Sequence, residues 1–316
     1  MNGNSDQQQK VDVVVVGAGF SGLQAAHDIH QAGFSVAVLE AKSRIGGRSY
    51  TTSLKTEHGL IELGATWINE HTQPRVFELA KKLALDFVEQ NGQTKSVIQD
   101  FSGQVWSERG ELIPQPPGVD YEDAFPFMEL MEKLQSTINV TKPGTIGVPD
   151  QDMTVDEWLR QNTSQWNREF ISNGCAALVG RDAKELGLHY LMDYIKSGGG
   201  LGHLAGEGPD TAQHLKIKQG TSAIAQGLAD ALPEGSVLTN SPVTAITQLT
   251  SGGVHITTKN NLTFESRKVI LAIPTNTYTN ISFTPPLPPA KRTIVSSTKP
   301  GIYAKAIITY RRPLVA

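Results

Sequence analysis

Apolar positions along the chain follow two rhythms, and the switches between them mark its elements. Residues 11–16 read Val-Asp-Val-Val-Val-Val. A β-branched run with no polar alternation predicts a parallel strand buried on both faces. Leu23, Ala25, Ala26 and Ile29 then keep helical spacing until Gly33, which predicts the end of a helix. Residues 35–39, Ser-Val-Ala-Val-Leu, return to strand character. Residues 72–85 predict a helix with Pro74 in its first turn and Val76, Phe77, Leu79, Ala80 and Leu83 turned inward. Further helices are expected over 125–138, from Met153, over 165–179 and over 183–197. Thr154 and Glu157 have the spacing of a capping box.

The later part changes character again. Residues 198–210 form a glycine-rich loop, and Gly220-Thr221 opens a helix running to Leu232. Short strands are expected at 237–238, 243–249, 254–258 and 262–264, with turns at Ser251-Gly252-Gly253 and Asn260-Asn261. Val269-Ile-Leu-Ala-Ile is a second wholly apolar parallel-strand candidate. The chain therefore returns to its first sheet, and the first domain is discontinuous. A proline-rich crossing at 284–291 leads to a strand over 302–310, with Lys305 in its apolar centre. The fold class is α/β: a Rossmann-like domain over 11–86 and 219–290, and an α+β second domain over 87–218 and 291–316. Residues 1–10, polar and glutamine-rich, are expected to be a disordered arm.

Candidate chemistry concentrates at the first turn. Gly17, Gly19 and Gly22 follow the first strand at G-x-G-x-x-G spacing. The first glycine permits the tight turn, the second lets backbone approach a pyrophosphate, and the third lets the helix pack close to the sheet. Glu40 closes the second strand eighteen residues past Gly22, near the spacing of an acid that binds a ribose. Arg44 and Arg48 flank Gly46-Gly47. A guanidinium suits diphosphate oxygens, and paired glycines let backbone lie against a flat ring. Residues 61–68 read Ile-Glu-Leu-Gly-Ala-Thr-Trp-Ile, another apolar stretch with small residues at its centre.

Together these segments resemble the FAD-dependent amine oxidases, specifically the monoamine oxidase branch in its fungal form. The resemblance covers residues 11–313. It implies that Gly17, Gly19, Ser21 and Gly22 form the dinucleotide elbow, and that Glu40 with Ala41 holds the adenosine ribose. Arg44, Gly46, Gly47 and Arg48 would wrap the diphosphate and flavin, and Gly64, Ala65, Thr66 and Trp67 would lie beside the isoalloxazine. The backbone of Val243 would hold the adenine, while Cys175, Leu201 and Gln213 would line a substrate cavity. It also implies that Lys305 reaches the flavin N5 through a water and aids oxidation of reduced flavin. From spacing alone, Lys305 is either an edge-strand charge or a functional group. Likewise Cys175 alone reads as a small buried hydrophobe, Gln213 as an amine-orienting group or an exposed amide, and Trp67 as a core filler.

The implied function is oxidation of a primary or secondary amine to an imine, with dioxygen reduced to hydrogen peroxide. The partners are then a small amine and O2. No arginine motif of the kind that clamps an amino-acid carboxylate is apparent. The family continues past the point where this chain stops, so the alternative is a non-catalytic truncated remnant that keeps part of an FAD-binding fold. Net charge is −3, with a pI near 6.2, which gives no long-range attraction to nucleic acid or anionic membrane. No run approaches the ~20 apolar residues of a membrane span. One cysteine excludes an intramolecular disulfide and suits a reducing compartment, so an intracellular location, cytoplasmic or peroxisomal, is expected. Four Asn-x-Ser/Thr sequons at Asn139, Asn162, Asn261 and Asn280 read as coincidental. His203 and His214 lack a third ligand at metal spacing, and no metal is expected.

Overall fold

The four valines lie where their β-branched character predicts, in the middle of a sheet. In the computed structural model, Val14 and Val15 have no exposed surface and Val16 has 4%. The structure describes residues 8–55, 59–90, 95–99, 103–109, 138–141, 152–206 and 208–308, with isolated positions 129, 133 and 136. The expected helix over 125–138 lies largely outside these residues. Two compact units divide the chain. One comprises Met1–Thr66, Arg75–Val88 and Lys216–Lys299; the other comprises Trp67–Pro74, Glu89–Leu215 and Pro300–Ala316.

The first unit is built on a seven-stranded sheet. Strand β1 (Gln9–Val16) leads through helix α1 (Phe20–Gln31) to β2 (Val36–Leu39), and β1 and β2 pair in parallel. On its other side β1 pairs in parallel with Thr263–Leu271, from Gln9 beside Phe264 to Val16 beside Leu271. Antiparallel strands Val254–Thr258 and Val243–Gln248 follow, then Ser282–Thr284, and Val237–Leu238 extends the opposite edge beside β2. Val14, Val16, Ala37, Leu39, Ile246, Ile256 and Phe264 share one core on this sheet. Two expectations change here. Gln9 and Lys10 are ladder residues rather than part of a disordered arm, because the strand opposite continues far enough to pair them. The separately expected strands at 262–264 and 269–274 are one. Its polar middle survives because Arg267 pairs with Asp12 and Glu265 with Lys10 at the surface.

The second unit is mainly helical where described: Val155–Asn162, Gln165–Val179, Leu188–Ser197 and the short Leu201–Ala205. Val155, Leu159, Cys175, Leu188, Leu191, Met192 and Ile195 form its core. The capping box is present. Thr154 Oγ1 accepts the Glu157 N–H at 3.1 Å, and the Glu157 carboxylate accepts the Thr154 N–H at 2.9 Å. The helix expected over 183–197 starts only at Leu188, because Val155 and Asp156 donate to the Leu186 and Ala183 carbonyls and hold that approach as a turn. Lys95–Gln99 and Val105–Arg109 form an antiparallel hairpin. No helix among the described residues is long and apolar enough to cross a membrane.

The expected strand over 302–310 is absent from its described part. Residues 301–308 have no regular structure and are exposed, Ile302 at 75% and Ile308 at 71%. An apolar rhythm makes a strand only where a neighbouring ladder takes its N–H and C=O groups. At the start of the segment Ile302 N–H donates to the Gly180 carbonyl and Tyr303 Oη to that of Leu178.

Candidate functional site

The first unit brings the glycine turn, the acid and the double-glycine loop into one place. Gly17 has φ of +102°, a conformation that L side chains rarely adopt, and its N–H donates to Leu39 O at 2.8 Å. A Cβ on Gly22 would lie 1.9 Å from the Gly17 carbonyl oxygen, so the third glycine closes helix onto turn. Gly19 differs, for a Cβ there would meet nothing nearer than the Cα of Gly47 at 3.9 Å. Gly47 in turn (φ +60°) faces Gly19. Two backbone stretches thus oppose each other without side chains. Gly46 N–H ties the loop to the turn by donating to Ala18 O at 2.8 Å.

Glu40 is 9% exposed, and both its oxygens are engaged. Oε2 accepts the buried Ala18 N–H at 2.8 Å and Oε1 the Lys42 N–H at 2.9 Å. The acid therefore holds the elbow as well as facing it. An ionised carboxylate has about four acceptor positions, which leaves two for ribose hydroxyls. Helix α1 has Gly19 at its N-cap position and no side-chain cap, so its first N–H groups and dipole suit a diphosphate. Ser21 and Ala41 are exposed beside this end. Val243, which opens its strand, is reached from Glu40 through backbone: Ser241 N–H donates to Glu40 O at 2.8 Å, and Asn240 N–H to Lys42 O at 2.9 Å.

The two arginines divide. Arg44 donates to the carbonyls of Ile45, Gly47 and Ser49 at 3.1, 2.9 and 3.2 Å, and stacks on Tyr50 at 4.3 Å. Its guanidinium thus braces the loop through the loop's own carbonyls, a role beside the diphosphate contact expected of it. Arg48 is exposed and remains suited to an anion. Gly64 allows the next segment to lie against this loop, because a Cβ there would sit 2.1 Å from Arg48 O. Ala65 and Leu63 N–H groups donate to Arg48 O and Tyr50 O at 3.0 and 2.8 Å. Ala65 is exposed and Thr66 half-buried.

The remaining candidates lie in the second unit. Trp67 is 39% exposed and donates to Gln90 Oε1 at 3.3 Å, so it is not the core filler that its size suggests. Cys175 belongs to the helical core, with Leu201 packed against the same cluster. Gln213 donates to the Ala205 carbonyl at 3.3 Å. Lys305 sits on the exposed 301–308 segment, so burial no longer speaks for it and its assignment rests on the resemblance alone. Burial, with Asp182 adding to it, pushes the Cys175 thiol up to about 11. The protonated thiol is the form the fold prefers. Its contribution is full below the unfolded thiol pKa and is lost as pH rises from there through about 11. Cys175 is therefore expected to resist alkylation by iodoacetamide at neutral pH and to react on unfolding; rapid labelling of native protein would contradict its burial.

Sequence reasoning passed over Glu62. Its carboxylate accepts from Thr51 Oγ1 at 2.9 and 3.0 Å and from the Thr221 N–H at 2.6 Å. A charge within an apolar stretch was the available signal. Lys42, two residues past the acid and exposed, is a further cation at the ribose end that was not singled out.

A family model described as "Flavin containing amine oxidoreductase" matches residues 20–316. The chain is 28% identical over 305 residues to a probable flavin-containing monoamine oxidase A of Dictyostelium discoideum, covering 96% of this chain and 66% of that protein. It is 30% identical over 312 residues to amine oxidase [flavin-containing] B of Homo sapiens, covering 96% and 58%. Among solved structures, wild-type putrescine oxidase bound to putrescine superposes with a TM-score of 0.82 at 26% identity, over 93% of this chain and 65% of that one. Cyclohexylamine oxidase from Brevibacterium oxydans IH-35A gives 0.81 at 25% identity, over 90% and 63%. The chain thus spans about three-fifths to two-thirds of the length of these relatives.

Proposed function

The chain belongs to the flavin-containing amine oxidoreductase family, and from that premise we propose that its first unit holds FAD and that the protein oxidises small amines with dioxygen. The observation that carries this reading is the apposition of Gly19 and Gly47 beside the α1 N-terminus, with Glu40 anchored to the same turn. The residues fit the cofactor. Glu40 has acceptor capacity left for ribose hydroxyls, the α1 N-terminus and Arg48 favour a diphosphate, and the opposed glycines leave a side-chain-free surface for a flat ring.

When bound, FAD would supply the two-electron chemistry that no protein side chain offers, taking a hydride equivalent from the amine α-carbon and returning electrons to dioxygen. The balanced reaction of a primary amine is amine plus O2 plus water giving aldehyde, ammonia and hydrogen peroxide, with the imine hydrolysed after release. The chain's own residues bind and orient. Glu40 and Arg48 set the cofactor's two polar ends, Arg44 stiffens the loop, and Gly64 brings Ala65 and Thr66 alongside it. The second unit is proposed as the substrate domain, with Gln213, Leu201 and Cys175 on the amine side. Lys305 is proposed, on motif position, as the residue that assists flavin reoxidation.

Three relatives are named for their reactions on putrescine, cyclohexylamine or monoamines, which suggests the panel to try. Purified chain incubated with FAD and freed of excess cofactor is expected to be yellow and to release peroxide with putrescine, cyclohexylamine or benzylamine. Colourless protein would overturn the cofactor reading. Yellow protein silent with every amine would overturn the oxidase reading alone.

A further inference from the structure

Strand β4 (Leu60–Glu62) pairs antiparallel with β3 (Thr51–Ser53), and it ends on the carboxylate of Glu62. Thr51 on the paired strand and Thr221, far along the chain, both donate to it. Helix Ser222–Asp230 has no side-chain cap, since Thr221 at its N-cap position is itself helical in conformation. Glu62 acts in its place. It accepts the Thr221 N–H at 2.6 Å, and the Thr221 hydroxyl lies 3.1 Å from both Glu62 Oε2 and the Ala65 carbonyl, one proton between two acceptors. Thr51 Oγ1 donates to the same carboxylate and accepts the Ser222 N–H at 3.0 Å, while Thr51 N–H donates to Ser222 Oγ at 2.8 Å.

Both structures that Glu62 pins border the double-glycine loop. A Cβ on Gly46 would lie 3.6 Å from Ala225 Cβ of the helix, and Ala65 N–H holds Arg48 O. We propose that Glu62 is a positioning residue for the flavin site: its carboxylate fixes helix Ser222–Asp230 and the Gly64–Ala65 turn, which both touch the loop Gly46-Gly47, and so sets where that loop's side-chain-free surface lies for the ring. The inference rests on the FAD reading above. The side chain must be a carboxylate because the atoms around it are donors, and an anion also suits a helix N-terminus. Glutamine keeps the shape but turns an NH2 towards donors.

The test measures FAD affinity by titration, the visible spectrum of bound flavin, and the melting temperature of the FAD-free protein. Glu62→Gln is expected to weaken FAD binding about tenfold or more and to shift the bound flavin's spectrum, consistent with loss of one charge-assisted bond. Thr221→Ser, which keeps both donors, is expected to behave as wild type. Asp12→Asn, which disturbs the Ser35 and Arg267 contacts at the sheet's far end, controls for stability; it is expected to leave affinity and spectrum unchanged. If Glu62→Gln does not fold, Thr51→Val removes one donor to the carboxylate together with the acceptor of the Ser222 N–H, and is expected to weaken binding about threefold or more. Glu62→Gln that melts lower but binds FAD with unchanged affinity and spectrum would overturn the inference, as would an unaffected Thr51→Val in that second case. Wild-type protein that binds no FAD would instead remove the reading on which the inference stands.

Discussion

Replacing Glu40 by alanine is expected to abolish measurable FAD retention and to lower the melting temperature. Two contributions act together. The Ala18 N–H, wholly buried, loses its acceptor, while the exposed Lys42 N–H can turn to water. A buried donor left unpaired after losing a charged partner costs about 2–3 kcal/mol. At about 2–4 °C per kcal/mol for a unit of this size, the melt should fall by about 4–12 °C. Loss of two charge-assisted bonds to a ribose would weaken FAD by about 100-fold or more. Glu40→Gln should fall between, because its single oxygen can serve Ala18 or Lys42 but not both. Titration calorimetry and a thermal melt check both parts. Unchanged affinity with a lowered melt would make Glu40 a structural acid only.

Gly22→Ala is expected to be the most damaging single-methyl change in the first unit. The added carbon would lie 1.9 Å from the Gly17 carbonyl oxygen and 3.2 Å from Ala272 Cβ. The first obstacle is backbone, already tied to Leu39 through the Gly17 N–H, so it cannot rotate away. Overpacking of this kind costs about 1–3 kcal/mol and occasionally more, against about 1 kcal/mol that alanine returns as a better helix former. The elbow must open, and FAD binding is expected to fall with it. Gly174 provides the contrast. It lies inside helix Gln165–Val179, and a Cβ there would meet nothing within 4 Å. Gly174→Ala should therefore stabilise by about 0.5–1 kcal/mol. Denaturant melts of the two variants should move in opposite directions, and a neutral Gly22→Ala would mean that the turn is looser than these distances indicate.

What could be read in the sequence was local. The valine run, the glycine spacing and the downstream acid sit within thirty residues of one another, and each carries its own physical reason. The capping box at Thr154 was legible for the same reason. What could not be read was partnership across the chain. Glu62 and Thr221 are 159 residues apart, and no rhythm announces that a strand-end acid caps a distant helix. The contact of Ser241 with the Glu40 carbonyl is equally remote from the turn it supports, and only the resemblance directed attention to Val243.

Errors also had physical causes. The charge of Arg44 is visible in the sequence, whereas the loop carbonyls it braces are not. Lys305 was placed in a strand because apolar rhythm describes one side of a ladder and says nothing of the other. Residues 265–268 interrupt apolar character without interrupting the strand, since Asp12 and Lys10 meet them at the surface.

Amide hydrogen exchange with and without FAD tests the central claim most directly. Binding is expected to slow exchange at residues 18–23, 40–48 and 63–66, where the elbow, the acid, the double-glycine loop and its neighbouring turn meet, and to leave the hairpin Lys95–Gln99 and Val105–Arg109 unchanged. Saturable binding that protects other segments and leaves these three as they were would contradict it.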